Sequence, residues 1–326
     1  MMYDTLVVDT SNLYMRAYSV GSSLTSQLSD GTEIITGGIY NFIRMINSLE
    51  NRFLKEHNGK VYFIFDNSKS GILRRKDIDP EYKSNRTKKD DLFYRTIDFL
   101  HSILLNYREG WFCVKCEGYE ADDLVAPIVD TLKGEDVLLV SNDMDWMRSI
   151  SEHVHVAKYE DKDYKVFTPE LFAERFGFSP SKESVILYKS IRGDHSDNIP
   201  PSVKGIPEKA VMEIVDKCSS VRELLHVIRD ENPFENLSET FRTKIKESIP
   251  RLTMNEKLVG FQDISEENLR EGIYNCTFHP STLRVLYKEL GFQISKLDPR
   301  ILKFIDETEK PVTPSDFFKP RKIKRS

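Results

Sequence analysis

The sequence predicts an α/β protein in which a mostly parallel central sheet is flanked by helices. Short apolar runs typical of buried strands alternate with segments whose apolar residues recur at helical spacing. Such alternation indicates a parallel sheet, because parallel strands need helical crossovers. The apolar runs are residues 5–8, 61–65, 112–114 and 137–140, and the clearest helical segments are residues 39–54 and 121–132.

The bulk composition is that of an ordinary globular protein. The chain has 326 residues, of which 39% are hydrophobic and 30% charged, enough for a main core and a second, smaller unit. No run approaches the ~18 apolar residues of a membrane span, and the start lacks the pattern of a signal peptide. We therefore expect a cytoplasmic protein that does not associate with a membrane. Cys113 and Cys116 have no second cysteine pair, which favours ordinary packing over a zinc site.

Three segments follow from the pattern. We expect an α/β core at residues 1–179, a largely helical subdomain at 180–305 and a disordered basic tail at 306–326. Within the core, residues 69–95 have little apolar periodicity and carry nine Lys or Arg against five Asp or Glu. This stretch is predicted to be a basic excursion from the sheet.

Acidic residues follow three of the four predicted strands, at Asp9, Asp66 and Asp143. Because the carboxyl ends of parallel strands line the ligand crevice of an open α/β sheet, we expect these acids to converge. The full set comprises nine carboxylates in five clusters: Asp9; Asp66; Glu120, Asp122 and Asp123; Asp143 and Asp145; Asp194 and Asp197. Apart from these nine, the chain has 43 acids and 47 bases, so the net charge of −5 does not exclude a nucleic-acid partner.

So many carboxylates in one crevice would repel each other unless cations lay among them. Oxygen ligands favour magnesium or manganese over zinc, and two such ions can support hydrolysis of a phosphodiester. Taken singly, each acid has a simpler explanation as a turn residue or a helix cap. Their joint placement is harder to explain in that way.

These residues resemble the 5′ nuclease or flap endonuclease superfamily, which includes the 5′ nuclease domain of bacterial DNA polymerase I, phage 5′ exonucleases and replication ribonucleases H. The resemblance covers residues 5–290 in family order. The similar segments are Val7-Val8-Asp9, Phe65-Asp66-Asn67-Ser68-Lys69-Ser70, Tyr82-Lys83-Ser84-Asn85-Arg86, Gly118-Tyr119-Glu120-Ala121-Asp122-Asp123, Ser141-Asn142-Asp143-Met144-Asp145, Gly193-Asp194-His195-Ser196-Asp197-Asn198-Ile199-Pro200 and Val203-Lys204-Gly205-Ile206.

The resemblance implies a PIN-like fold with two divalent metal ions, Mg²⁺ or Mn²⁺. One ion would lie near Asp9, Asp66, Glu120 and Asp122 with Asp123 close by, and the other near Asp143, Asp145 and Asp197 with Asp194 behind. It also implies that the basic stretch forms a helical arch over the site, where Lys83 and Arg86 face the scissile phosphate. Tyr82 would stack on a base, and Arg74 and Arg75 would contact nucleic acid.

The turn at residues 203–206 resembles the family's helix-hairpin-helix element, which grips duplex phosphates. The resemblance implies DNA contacts at Lys204, Gly205, Ile206 and Lys209, and a potassium ion at the turn. The sequence departs from the family pattern, with Pro201-Ser202 in place of a single glycine and Pro207 in place of a second glycine. Pro207 has no amide hydrogen, which removes one phosphate donor and weakens the case for potassium.

The resemblance therefore implies a structure-selective 5′ nuclease that acts on branched or 5′-ended DNA, or on RNA–DNA hybrids, with no polymerase domain following. The alternatives are a PIN-type ribonuclease and a non-catalytic DNA-junction binder of the same fold. A haloacid-type phosphatase would need Asp where the chain has Ser11. Phe317 and Phe318 of the tail are candidate anchors for a sliding clamp or a single-strand binding protein, although a solvated basic tail explains them slightly better.

Overall fold

The fold is that of a computed structural model, which describes residues 1–56, 59–66, 68–87 and 89–291, without the side chains of residues 68–71. The strands are β1 (Thr5–Asp9), β2 (Ser26–Gln27), β3 (Glu33–Ile34), β4 (Lys60–Ile64), β5 (Trp111–Val114), β6 (Val137–Val140), β7 (Val154–Glu160), β8 (Asp163–Phe167) and β9 (Ile273–Asn275). The helices are α1 (Thr10–Gly21), α2 (Thr36–Phe53), α3 (Ser68–Ile78), α4 (Asp91–Leu105), α5 (Ala121–Thr131), α6 (Pro169–Phe176), α7 (Lys182–Arg192), α8 (Glu208–Lys217), α9 (Val221–Val227), α10 (Glu239–Glu247), α11 (Ile249–Val259), α12 (Glu266–Glu271) and α13 (Pro280–Glu289), with a 3₁₀ helix at Met144–Ser149. The predicted tail and residues 292–305 lie outside the described part of the chain.

The described residues divide into two compact units that alternate along the chain. The first contains residues 1–65, 89–114 and 273–291, and the second contains residues 66–87 and 115–272. The division predicted from the sequence, with boundaries at residues 179 and 305, stays a prediction.

In the first unit the strand order is β1-β4-β5-β9. β1 pairs parallel with β4 and β4 with β5, whereas β9 is antiparallel to β5. In the register of the first pair, Asp9 lies opposite Ile64, so Asp9 and the residues after β4 leave the sheet at the same end. Residues 6–8 are fully buried, as expected for a strand covered on both faces.

Helices α1 and α2 of the first unit meet where two glycines face each other. A side chain at Gly37 would put its Cβ 2.3 Å from the carbonyl oxygen of Gly21. Only glycine allows backbones this close. The contact fixes α1, which begins directly after Asp9, against the longer helix.

The second unit contains β6 and β7 as a parallel pair, with β8 antiparallel to β7. The β7–β8 hairpin was not predicted, because its turn residues Asp161 and Lys162 adopt positive φ (51° and 67°) without the glycine that usually marks such a turn. α7 and α8 flank residues 193–207, which include the turn predicted at residues 203–206. The mostly parallel sheet flanked by helices is therefore confirmed. No helix in the described ranges is long and apolar enough to cross a membrane.

Candidate active site

Three carboxylates from two elements of the second unit meet at one place. Asp122 lies in the first turn of α5, while Asp143 caps the 3₁₀ helix that carries Asp145. One oxygen of each lies within 4.8 Å of the others. The chain leaves β6 at Val140 and turns at once into the 3₁₀ helix, where the Asp145 amide donates to Asp143 Oδ1 at 2.9 Å. This cap fixes the two aspartates relative to each other.

A buried lysine that the sequence did not reveal lies among the acids of this group. Lys189 Nζ is 2.6 Å from Asp145 Oδ1, 2.7 Å from Asp194 Oδ2 and 3.8 Å from Asp143 Oδ1. Its side chain is only 7% exposed. One ammonium therefore partly neutralises three carboxylates. Nothing in the linear sequence distinguishes Lys189 from the other lysines of a helix.

Burial and the neighbouring groups shift the pKa values of Asp145 and Asp194 in opposite directions. Burial raises the pKa of Asp145 to about 6, an effect that Lys189 reduces and Asp143 reinforces. For Asp194, burial alone would raise the pKa, but Lys189 and the hydrogen bonds from Ser196 bring it to about 2. Ser196 donates to Asp194 Oδ1 from both its amide (2.8 Å) and its hydroxyl (2.6 Å). Asp194 is thus held as a carboxylate, whereas burial disfavours the charged form of Asp145.

A second acidic group in the same unit surrounds Glu120 and is also neutralised by basic side chains. Arg75 pairs with Glu120 and, at 3.0 Å, with Asp123, and it also donates to the carbonyls of Leu258 and Gly260. The Glu120 amide donates to Asp123 Oδ2 at 3.2 Å. Arg75 is 6% exposed. This arginine ties α3 to the start of α5, and its predicted contact with nucleic acid stays a prediction.

Lys83, Arg86 and Tyr82 converge on Asp197. Lys83 Nζ contacts Glu120 and lies 3.7 Å from Asp197 Oδ2, and Arg86 Nη2 donates to Asp197 Oδ1 at 2.6 Å. Burial would lower the pKa of Lys83, but Asp197 and Glu120 raise it above its ordinary value, so the amine stays charged. The basic motif therefore lies against the acids, and the prediction that Lys83 and Arg86 face a scissile phosphate stays a prediction.

Tyr82 is part of the interior rather than the surface. Its hydroxyl donates to Asp197 Oδ2 at 2.9 Å, and its ring packs in a core cluster with Ile199, Leu258 and Val259. The residue is 2% exposed. The prediction that Tyr82 stacks on a base would require this ring to leave its core. Arg74, which was also predicted to contact nucleic acid, is exposed.

The acids are grouped differently from the expected pairs of metal ligands. Asp122 was expected beside Glu120 but lies with Asp143 and Asp145. Asp197 was expected beside Asp143 and Asp145 but contacts Tyr82, which also contacts Glu120. Asp66 is exposed and accepts from the Ala121 amide at 2.9 Å.

Asp9 belongs to the first unit, where it ends β1 and accepts from the Asn12 amide at 2.9 Å as the cap of α1. It is 7% exposed. Its role as a metal ligand stays a prediction.

The hairpin turn between α7 and α8 is shaped by Gly193, which belongs to a recognised motif, and by Asn255, which does not. Gly193 has φ +72°, and a Cβ there would lie 2.3 Å from the Ile199 carbonyl oxygen, so this position requires glycine. Fully buried Asn255 donates from its amide nitrogen to the Ser190 and Pro200 carbonyls, at 3.1 and 2.8 Å, and to Ser202 Oγ at 3.0 Å. Asn255 therefore stabilises the turn from α11, and no motif in the sequence marks this residue.

The predicted DNA-contact residues of the turn differ in exposure. Lys204, Gly205 and Lys209 are exposed, whereas Ile206 is 3% exposed. Gly205 has φ +75° and open space where a Cβ would be, so a ligand can approach its backbone closely. A groove of about 290 Å³ beside the turn is lined by Lys204 and, from α10, by Lys244. Pro207 caps α8 without a side-chain hydrogen bond.

The group of Asp122, Asp143 and Asp145 fits a divalent cation. All its donors are carboxylate oxygens, which hard cations such as Mg²⁺ and Mn²⁺ prefer. Asp143, Asp145 and Asp194 share the single positive charge of Lys189, so this group keeps a net negative charge that a cation can balance. Cys113 and Cys116, the alternative zinc ligands, are both buried; the Cys113 thiol contacts that of Cys276 at 3.8 Å.

Comparison with known proteins shows the family of the chain. Residues 4–177 match the family model of the 5′-3′ exonuclease N-terminal, resolvase-like domain. The 5′-3′ exonuclease of Buchnera aphidicola subsp. Schizaphis graminum is 32% identical over 236 residues, which cover 71% of this chain and 77% of that protein. The chain belongs to the 5′-3′ exonuclease family. The predicted resemblance and the prediction of an enzyme of this family are thereby confirmed.

Other members and structures extend the likeness. DNA polymerase I of Bacillus caldotenax is 28% identical over 94% of this chain, which spans only 32% of that protein. A bacteriophage T5 flap endonuclease, crystallised with DNA and metal ions, has the same fold with a TM-score of 0.57 and 20% identity over 92% of this chain and 98% of its own. The catalytic core of Rad2 in complex with DNA substrate has a TM-score of 0.55 and 14% identity over 93% of this chain and 92% of its own.

Proposed function

We propose that this chain is a metal-dependent 5′ nuclease that hydrolyses phosphodiesters in branched or 5′-ended DNA during replication or repair. It acts as a 5′→3′ exonuclease and a flap endonuclease, with RNA primers in RNA–DNA hybrids as a second substrate class, and it works in the cytoplasm. The observation that carries the proposal is the meeting of Asp122, Asp143 and Asp145, with oxygens within 4.8 Å of one another, in a chain of the 5′-3′ exonuclease family.

The cofactors of this proposal are two divalent cations, Mg²⁺ or Mn²⁺. Their ligands would come from the nine carboxylates Asp9, Asp66, Glu120, Asp122, Asp123, Asp143, Asp145, Asp194 and Asp197. Two bound cations supply activation of the attacking water and stabilisation of the attacking and leaving oxygens. The clustering of acids that burial and mutual repulsion would otherwise destabilise supports such a role.

Lys83 and Arg86 act on the scissile phosphate in this proposal. The ammonium of Lys83 lies beside Glu120 and the guanidinium of Arg86 beside Asp197, so a phosphate that a divalent cation holds at these acids would come within their reach. An ammonium aimed at a phosphate oxygen stabilises the negative charge that develops in the transition state. Because the side chain of Lys83 is only 7% exposed, its charge acts in a site with little water and is weakly screened.

The hairpin turn holds the duplex part of the substrate. Lys204 and Gly205 are exposed, and open space lies beside Gly205, so a phosphate can approach the backbone of the turn. Exposed Lys204 and Lys209 add charge, which makes binding salt-sensitive despite the net charge of −5. A potassium ion at the turn and a replication partner for Phe317 and Phe318 are further parts of the proposal; those two residues lie outside the described ranges.

The test compares cleavage and binding of a labelled flap by the Asp143→Asn variant. We expect cleavage to fall by orders of magnitude while DNA affinity stays within about tenfold, since Asp143 would act on the reaction more than on binding. Asp230→Asn is the control, because Asp230 is 81% exposed and outside the clusters. Near-normal Mg²⁺-dependent turnover by Asp143→Asn would refute the proposed chemistry. Binding without cleavage by the wild type would instead favour a junction binder.

Comparing flap DNA, gapped DNA and RNA–DNA hybrid in the same assay ranks the substrates. Each is offered with Mg²⁺, with Mn²⁺ and with EDTA. Cleavage of the hybrid at a rate far below that of the flap would remove the ribonuclease H part of the proposal and leave the rest intact.

A further inference from the structure

Trp146 is a buried tryptophan whose only polar atom faces a proposed metal ligand. It follows Asp145 in the 3₁₀ helix and is 0% exposed. Its indole Nε1 donates to Asp122 Oδ1 at 2.8 Å. Because a buried donor or acceptor that loses its partner costs about 1–3 kcal/mol, the indole and the carboxylate hold each other in one orientation.

The backbone of the same aspartate is held by the same short helix. Arg148 Nη2 donates to the carbonyl oxygen of Asp122, and its guanidinium lies over the ring of Phe261. Burial lowers the pKa of Arg148 to about 10, so this contact is maintained against a desolvation cost. The 3₁₀ helix therefore supplies Asp145 and also fixes both the side chain and the backbone of Asp122.

One helix thus sets the spacing of three carboxylates that come from two elements. Groups that orient metal ligands from behind affect metal affinity although they never touch the ion. We propose that Trp146 is a positioning residue, whose indole N–H holds Asp122 in the orientation in which it shares a divalent cation with Asp143 and Asp145. The inference rests on the proposed function, because it presupposes a metal at these carboxylates.

The test is direct Mg²⁺ binding to the full-length protein without DNA, measured by isothermal titration calorimetry. Trp146→Phe keeps an aromatic ring and removes the N–H, and we expect it to weaken Mg²⁺ binding about 10–100-fold. Trp111→Phe is the matched control: Trp111 is also 0% exposed, and its Nε1 donates to a carboxylate outside the clusters, Glu50 Oε1, at 2.9 Å. This variant loses a similar buried hydrogen bond, but its Mg²⁺ affinity should equal that of the wild type.

Cleavage gives a second readout of positioning. If Trp146 only orients Asp122, flap cleavage by Trp146→Phe needs more Mg²⁺ but approaches the wild-type rate when Mg²⁺ is saturating. Equal Mg²⁺ affinity of Trp146→Phe and the wild type would overturn the inference and leave the proposed function standing. Absence of Mg²⁺ binding by the wild type would instead overturn the proposed function itself.

Fluorescence provides a test that does not depend on the folding of Trp146→Phe. The chain has two tryptophans, so Trp146 is the only one left in the Trp111→Phe variant. Mg²⁺ should change the fluorescence emission of Trp146 in that variant, because the bound cation compensates the charge of Asp122, to which the indole donates. Emission that stays constant while calorimetry records Mg²⁺ binding contradicts the assignment.

Discussion

Replacing Lys189 with Met should destabilise the protein, because the acids around Lys189 lose the positive charge that partly neutralises them. The ammonium lies 2.6 and 2.7 Å from Asp145 and Asp194 and is 7% exposed. Removing one partner of a buried ion pair typically costs about 3–5 kcal/mol, because the remaining charge is left uncompensated. For a protein of this size the loss corresponds to a melting temperature lower by roughly 4–7 °C in EDTA. Methionine keeps most of the side-chain volume, so packing changes little.

Mg²⁺ should reverse much of this loss. In Lys189→Met, a cation bound to the acids replaces the missing positive charge and is not repelled by an ammonium beside it. Mg²⁺ should therefore raise the melting temperature more in Lys189→Met than in the wild type. Differential scanning calorimetry in EDTA and in Mg²⁺ measures both values. Lys217→Met is the control, because exposed Lys217 pairs with Glu213 at 2.7 Å on the surface, and its loss should lower the melting temperature far less than the loss of Lys189. Equal Mg²⁺ increments in Lys189→Met and the wild type would refute the reasoning.

Three further predictions follow from single contacts. Lys83→Ala should lower the single-turnover cleavage rate more than DNA affinity, and a loss of affinity alone would reduce Lys83 to an ordinary phosphate contact. In EDTA, folded Asp145 keeps its proton up to about pH 6, but the unfolded chain keeps it only to about pH 4. Stability should therefore fall as pH rises from about 4 to 6, and urea unfolding of Asp145→Asn should lack this fall. Gly193→Ala should destabilise the hairpin by more than about 2 kcal/mol, whereas Gly134→Ala, also at positive φ but with open space around it, should cost about 1 kcal/mol.

Local pattern was sufficient for the features that depend on neighbouring residues. The four predicted strands are present within about one residue of their expected bounds, because a continuous apolar run is the direct consequence of burial on both faces. Asp9 and Asp143 follow strands as expected, and both cap the helix that comes next. The family was recognisable for the same reason, since its motifs are short and lie at the strand ends.

The missed strands show where local pattern failed. β9 has three residues, too few for an alternating pattern, and it pairs with β5 from more than 150 residues away. The β7–β8 turn lacks glycine although both of its residues have positive φ. In each case the stabilising contacts come from a partner strand, which the sequence of the segment itself does not encode.

Only the tertiary structure determined which charges face each other. The sequence indicates nine candidate acids, but it does not show that Lys189 lies among Asp143, Asp145 and Asp194, or that Asp197 contacts Lys83 and Arg86. Nor does the sequence show that the indole of buried Trp146 donates to Asp122. Ion pairing and ligand orientation depend on distances of a few ångströms between segments far apart in the chain, because Coulomb energies and hydrogen bonds change steeply over that range. Residue types therefore predicted the chemistry of this site, and packing decided its partners.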